Sequence, residues 1–532
     1  MNSSSLPPKA GGQAPPAQYS PNKWAVAVSV VLGAFMAIMD VNVVNVALPH
    51  MMGSFGQNLS AITWVATSYS IAAVIMLTMS GWWVRLLGRK NFYLLSFVVF
   101  TVGSILAGMS HTFPEMIACR VLQGMGGGSL VPLAQAILRE TFPRNEQGMA
   151  MAIFSMGVVV APAVGPVLGG WLTDQYGWQW IFYINIPVSV VGMLLVSLFV
   201  FDPPYLQRGV KRIDVAGIVL LTLGLTGLQV FLERGQQENW FESSWIAWTA
   251  VFTVITLLAL VVWELSVEEP VVNLRIFKNA QFRMGVVVIL LFGIALYGTS
   301  FILPQFTQQL LNYPAYQSGL VLMPRAIALI CVLPLVGKLY NLVDPRALIL
   351  YGIAVVNVSY FQLAHLATTA GQGNIVPSLL LMGSGLPFIF ISLSTVALSS
   401  VEKELMTSAS GLFNLFQQVG GNIGYAVMAT LFERNSQVHH VYLAEHINPF
   451  NPNFERFFHQ ATAFLYRQGM SLGTAKQAAM DLINRLVTQQ AQMMAYNDIS
   501  MFLMFMFFTC VPFVLMIPVY KGHSGTVEAR EM

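Results

Sequence analysis

The sequence predicts an all-α polytopic membrane protein with fourteen transmembrane helices, arranged as two six-helix bundles plus two intervening helices. Charged residues make up 9% of the 532 positions and apolar types 56%, against about 25% charged in an ordinary soluble domain. So few charges cannot cover a water-facing surface of this size. A bilayer core of about 30 Å takes about 20 apolar helical residues, and that length fits the chain fourteen times. The basic residues then alternate between the two sides, as short cytoplasmic loops require.

The spans fall at 24–48, 61–84, 92–110, 115–138, 148–172, 181–201, 214–232, 245–264, 284–304, 317–340, 347–368, 375–399, 407–432 and 499–520. The run that begins at Trp24 and passes Val44 is too long for a cleaved signal core of roughly 7–15 residues, so the first span is retained. Residues 1–23, rich in Pro, Ser, Gly and Gln, read as a disordered cytoplasmic tail. The first six-helix bundle covers 24–201 and stops at Asp202-Pro203-Pro204. Two additional spans occupy 214–264, and the second bundle covers 284–520. Gly383, Gly385 and Pro387 interrupt the span at 375–399. Within the second bundle, 433–498 is expected to be a periplasmic loop carrying a helical hairpin, and 521–532 a cytoplasmic tail. With both termini inside, the inner segments collect Arg85, Arg89, Lys90, Arg139, Arg144, Arg208, Lys211, Arg212, Arg275, Lys278, Arg283, Lys338, Arg346 and Lys403. The short outer loops hold only Arg234.

Net charge is +3, which points to no nucleic-acid partner. Cys119, Cys331 and Cys510 lie far apart in apolar runs, with neither a disulfide framework nor metal-ligand spacing. No cofactor or metal site is expected. Nor does the chain pair a nucleophile with a base, and the glycines at 124–128 lack the strand and trailing Lys-Ser/Thr of a phosphate-cradling loop. That argues against a membrane enzyme or sensor and for a carrier embedded in the lipid bilayer.

Four stretches carry a resemblance. They are Met39-Asp40-Val41-Asn42-Val43-Val44-Asn45-Val46-Ala47-Leu48-Pro49 in the first span and Arg120-Val121-Leu122-Gln123-Gly124 in the fourth. The others are Ala161-Pro162-Ala163-Val164-Gly165-Pro166-Val167-Leu168-Gly169-Gly170 in the fifth and Trp178-Gln179-Trp180-Ile181-Phe182-Tyr183-Ile184-Asn185-Ile186-Pro187 before the sixth. Together they resemble the fourteen-span drug:proton antiporters of the major facilitator superfamily, whose six-helix halves surround a midplane site. The resemblance implies proton-coupled efflux of hydrophobic or amphiphilic compounds across a bacterial inner membrane by alternating access. It also implies a tripartite pump with a periplasmic adaptor of the membrane-fusion type and an outer-membrane channel. A proton-linked nutrient uptake carrier is the alternative. One departure stands out: Arg85 occupies a position where the family usually has an acid of the cytoplasmic gate.

An ionisable side chain at the bilayer centre costs about 2.5–3.5 kcal/mol, which singles out Asp40 and Arg120. The resemblance implies that they face one cavity, where Asp40 would carry the proton and Arg120 would tune it; the alternative is a static pair that fixes helix packing. Asn42 and Asn45 share a helix face and, with Gln123, offer hydrogen bonds to a solute, or else act as interhelical glue. Tyr297, Phe301 and Gln305 are candidate cavity liners of the second half. Pro162, Gly165, Pro166, Gly169 and Gly170 form the antiporter motif, read either as hinge and seal or as plain packing. Arg325, a third embedded cation, is expected to reach outward to the interface. In the outer segment, Ala475, Ala479, Leu482 and Leu486 are expected to form one apolar stripe, while His439, His440, His446 and His459 read as solvated loop residues.

Overall fold

A computed structural model describes residues 22–203, 209, 213–368, 370–448 and 450–518. The tails expected at 1–23 and 521–532 lie outside the described residues except for Asn22 and Lys23, as do Arg208, Lys211 and Arg212. The described chain is helical, with no strand. The first half consists of α1 (Lys23–Phe55), the short α2 (Leu59–Ile62), α3 (Trp64–Leu87), α4 (Arg89–Met109), α5 (Phe113–Thr141), α6 (Gln147–Tyr176), the short α7 (Trp180–Tyr183) and α8 (Asn185–Phe199). The extra pair is α9 (Val215–Arg234) and α10 (Ser244–Ser266). The second half consists of α11 (Ala280–Gln305), α12 (Ala315–Leu339), α13 (Pro345–Leu363), α14 (Gln372–Ser399), α15 (Met406–Ala444), α16 (Pro452–Arg467) and α17 (Leu472–Leu515). We call the side on which α1 begins the near side and the opposite one the far side.

Local chemistry sets the ends. Asn22 caps α1 through its side chain, and Gly56 closes it at φ 62, a left-handed conformation that glycine adopts without penalty. Thr112 and Glu115 form a reciprocal capping box at the start of α5. Pro324 and Pro334 lie inside α12, and Pro377 and Pro387 inside α14, yet both helices continue. Neighbouring helices in a membrane re-satisfy the backbone groups that proline frees.

Thirteen of these helices are long and apolar enough to cross a membrane. The fourteenth expected span, 407–432, lies within the continuous helix α15 but carries Asn414, Gln417, Gln418 and Asn422, which lower its apolar character. The apolar window of α5 is 78% buried and that of α10 only 22%, so α5 is central and α10 peripheral. α9 lies between α3 and α15. Arg234 donates to the Ser60 carbonyl at 2.7 Å and sits over the Trp64 ring, while Gln229 accepts from Asn422 of α15 at 2.7 Å. The extra pair is therefore stitched to both halves along one seam.

On the far side the helical hairpin expected within 433–498 is present as α16 and the outer part of α17. α15 runs on to Ala444, and α17 is one helix of 44 residues that joins the expected outer helix to the last span. The reason is in the sequence: no glycine or proline occurs between Gly473 and Pro512. The buried stripe on α17 also differs from expectation. Ala475 and Ala479 are buried and continue into Ile483, whereas Leu482 and Leu486 are exposed. Residues 475, 479 and 483 repeat every four positions, and 482 and 486 lie one residue, about 100°, round the helix. Leu486 instead lines a cleft of about 310 Å³ with Leu443, Phe454 and Phe457. His439 and His440 sit on α15, not in a loop, and face Asp498 at 2.7 Å and Asn484 at 3.2 Å on α17.

Candidate functional site

Close helix packing in the first half brings four polar side chains to one point. Gly126 and Gly128 of α5 leave no room for a Cβ, which would meet the backbones of Phe100 on α4 and Ala73 on α3. With α3 drawn in, the Val65 carbonyl accepts from Arg120 Nε at 3.0 Å. Asp40 lies about midway along α1, and its Oδ2 accepts from Arg120 Nη1 at 2.7 Å. Its Oδ1 accepts from Gln123 Nε2 at 2.8 Å and from Asn185 Nδ2 at 2.9 Å. Gln123 Oε1 in turn accepts from Arg120 Nη1 at 2.6 Å. Asn185 also donates to Ser104, whose hydroxyl donates to the Phe182 carbonyl at 2.8 Å.

Asn185 reaches the cluster because its helix breaks beside it. Pro187 has no N–H to give to the preceding turn, and α7 stops at Tyr183 before α8 begins at Asn185. The Arg120 guanidinium lies over the Tyr69 ring at 4.3 Å, a favourable cation–π arrangement. Asp40, Arg120, Gln123 and Asn185 are all buried, none more than 1% exposed. The two charges cancel, and charge-assisted hydrogen bonds satisfy most of the polar atoms. Arg120 Nη2 and Asn185 Oδ1 have no hydrogen-bond partner among the described residues.

The other expected residues fall into different places. Gln123 belongs to this cluster, and both ends of its amide are engaged there rather than free for a solute. Asn42 donates to the Ile38 carbonyl of its own helix at 2.8 Å, and Asn45 is exposed. Gly165 and Gly169 face α1, where a Cβ would meet Asn42 and Val43; Gly170 is more open, and Pro162 and Pro166 are exposed. Tyr297 packs on Gly421 and lies 6.1 Å from the Tyr425 ring, which Phe301 meets edge-on at 6.0 Å. Gln305 is half-buried at the end of α11, where a π-helical turn, Phe306–Leu310, follows.

The hydrogen bonds that join the halves gather on the near side. Buried Arg139 of α5 donates to the Thr395 carbonyl at 2.7 Å and the Ser394 carbonyl at 3.3 Å near the end of α14. Asn414 of α15 donates to Gln135 at 2.6 Å, and Asn341 donates to the Asn145 carbonyl at 2.6 Å. Gly148 and Gly337 let α6 and α12 meet backbone to backbone. Arg85 does not bridge the halves here; it donates to the Pro270 carbonyl at 2.7 Å, in the segment after α10. Nearby, Arg89 forms a two-pronged pair with Glu140 inside the first half. Neither Asn185 nor Arg139 was singled out from sequence. Asn185 could have been found as an amide beside a proline break, whereas Arg139 reads as an ordinary loop cation.

Residues 30–425 match the Major Facilitator Superfamily. The multidrug export protein EmrB of Escherichia coli (strain K12) is 32% identical over 473 residues, covering 89% of this chain and 91% of that protein. The fatty acid resistance protein FarB of Neisseria gonorrhoeae is 30% identical over 515 residues, covering 96% of this chain and 99% of that one. Among solved structures, the human organic anion transporter MFSD10 (TETRAN) superposes with a TM-score of 0.61 at 13% identity, over 92% of this chain and 100% of that chain. At that identity the likeness speaks for the fold alone.

Proposed function

This chain belongs to the major facilitator superfamily and is a multi-pass membrane transporter rather than an enzyme; from that premise we propose that it exports hydrophobic and amphiphilic compounds in exchange for protons. The relatives named for multidrug export and fatty acid resistance support the direction and the substrate class. The observation that carries the coupling is the sealed Asp40 cluster, a carboxylate held by Arg120, Gln123 and Asn185 in the middle of the first half.

Ionised Asp40 leaves the cluster neutral overall. A proton on Asp40 leaves the Arg120 charge uncompensated and turns one carboxyl oxygen into a donor that needs an acceptor. Asn185 Oδ1 has no other partner among the described residues and lies on the same amide that already touches Asp40. Protonation therefore reorders the contacts between α1, α5 and α8. In this reading the near side is the cytoplasm, and the Arg139, Gln135–Asn414 and Gly148–Gly337 contacts form the closed cytoplasmic gate of an outward-facing state. A proton moving inward releases about 2.3 kcal/mol per 100 mV, which drives the return.

The membrane is the bacterial inner membrane, with both termini cytoplasmic. The helices that project on the far side then reach into the periplasm. Their apolar cleft offers a seat for an EmrA-like adaptor, itself joined to a TolC-like outer-membrane channel.

Everted membrane vesicles test the reading. An imposed acid interior should drive accumulation of a lipophilic dye by the parent chain, and Asp40→Asn should reduce the proton-driven rate at least about a hundredfold, a loss of roughly 2.7 kcal/mol in barrier terms. Undiminished proton-coupled uptake by Asp40→Asn would remove Asp40 as the carrier.

A further inference from the structure

One basic residue stands apart from the loop pattern. Arg234, the one cation expected in the short outer loops, ends α9 on the far side and is only 3% exposed. A positive charge there runs against the usual bias of short loops, and a buried charge is costly unless its donors are engaged. Arg234 makes no ion pair among the described residues. Its Nη1 donates instead to the Ser60 carbonyl at 2.7 Å, the Ser60 hydroxyl at 3.1 Å and Gln237 Oε1 at 2.9 Å. Its guanidinium covers the Trp64 ring at 4.7 Å.

Those contacts fall on the corner where α2 gives way to α3. α2 is a single turn, Leu59–Ile62, and one turn of helix has no stability of its own. Tertiary contacts must place it: Asn58 caps it, Ile62 is buried, and Arg234 grips Ser60. The residue after Trp64 is Val65, whose carbonyl accepts from Arg120 Nε at 3.0 Å. One turn further on, the Tyr69 ring underlies the Arg120 guanidinium at 4.3 Å. α9 has its own backing on the other flank, where Gln229 accepts from Asn422 of α15 at 2.7 Å.

We propose that Arg234 is a positioning residue for proton exchange. By fixing Ser60 and Trp64 it sets the Val65 carbonyl, and with it the seat of Arg120 against Asp40. The inference rests on the proton-exchange reading above and gives the extra helix pair a part in it. The titratable and charged groups that face Asp40 are Arg120 of α5 and the Tyr69 phenol of α3. Lys23 and His50 lie near the ends of α1, Asp174 and Tyr176 at the far end of α6, and α8 carries none. Tyr93 of α4 and Tyr183 of α7 meet Val30 and Gly108 instead. A carboxylate whose cation is less firmly held takes up its proton at higher pH, so loosening Arg120 has a readable sign.

Infrared spectra of the full chain in lipid nanodiscs, recorded across pH, test it. The carboxylic acid band that disappears in Asp40→Asn reports the proton on Asp40, whether or not transport occurs. Arg234→Ala should raise the midpoint of that band by about half a pH unit or more. The pH profile of proton-driven dye accumulation in everted vesicles should move with it. Arg234→Lys, which keeps the charge without the fork, should fall between, and it carries the test should the alanine variant fail to fold. A midpoint within about 0.2 unit of the parent in a folded Arg234→Ala protein overturns the proposal. A lower Tm with that unchanged midpoint overturns it equally, because the contact then only stabilises the corner. A shifted midpoint in Arg234→Ala, beside a parent whose dye accumulation ignores the proton gradient, keeps the positioning role and overturns proton-driven export instead.

Discussion

Two arginines in the membrane-embedded interior set the two halves of this molecule apart. Arg120 is wholly buried and meets a carboxylate, an amide and a backbone carbonyl within hydrogen-bonding distance. Arg325 is half-buried and makes no ion pair among the described residues. The first arrangement is complete without any visitor, so only a proton can change its charge balance. Embedded charge is thus held in two ways here, and the presence or absence of an internal counter-ion separates them.

The contrast breaks most readily at Arg120. Arg120→Leu strands a buried carboxylate and should destabilise the protein by about 3–5 kcal/mol, read as a fall in Tm in nanodiscs. The Asp40→Asn/Arg120→Gln double variant should recover most of that stability without regaining proton-driven transport. An Arg120→Leu protein as stable as the parent would mean that the pair is not what the first half depends on.

A smaller effect is expected at the near side. Arg139→Ala removes the donors to the Ser394 and Thr395 carbonyls and should weaken the closed near side by about 1.5–3 kcal/mol. A spin-label pair spanning α5 and α14 at that side should then show a longer-distance population. An unchanged distance distribution would locate the closure in Gly148–Gly337 and Gln135–Asn414 alone. The smallest effect belongs to Asn45, which is exposed and makes no side-chain hydrogen bond that the structure shows. Asn45→Ala should shift stability by less than about 0.5 kcal/mol, and a loss of drug export at unchanged stability would place Asn45 against the substrate, sharpening the first half's role beyond proton handling.

Much of the fold was legible because membrane spans follow from composition, and the embedded pair Asp40 and Arg120 stood out because charges in hydrocarbon are costly. Other features depend on partners distant in sequence. Gln123 looked like a free amide until α1 brought Asp40 to its Nε2. Arg139 resembled any cytoplasmic-loop cation, and its burial comes from α14, about 255 residues later in the chain. Arg325 carried the right signal, an arginine inside a span, but the close packing of its backbone against Gly383 of α14 depends on a residue distant in sequence. The hairpin expected in the outer segment is there as α16 and the outer part of α17, but its joining to the last span without a break was not read, for a local reason. Polarity changes near Asp498, but polarity does not end a helix, and without glycine or proline the chain runs on.

That uninterrupted last helix has a mechanical consequence. Its 44 residues extend about 66 Å as a rigid rod, with one end among the spans of the second half and the other well outside the bilayer. A rocking of about 10° in the membrane therefore swings the outer tip by roughly 11 Å. Whatever grips that tip feels each turnover as displacement, and a brace that holds it still also holds the second half.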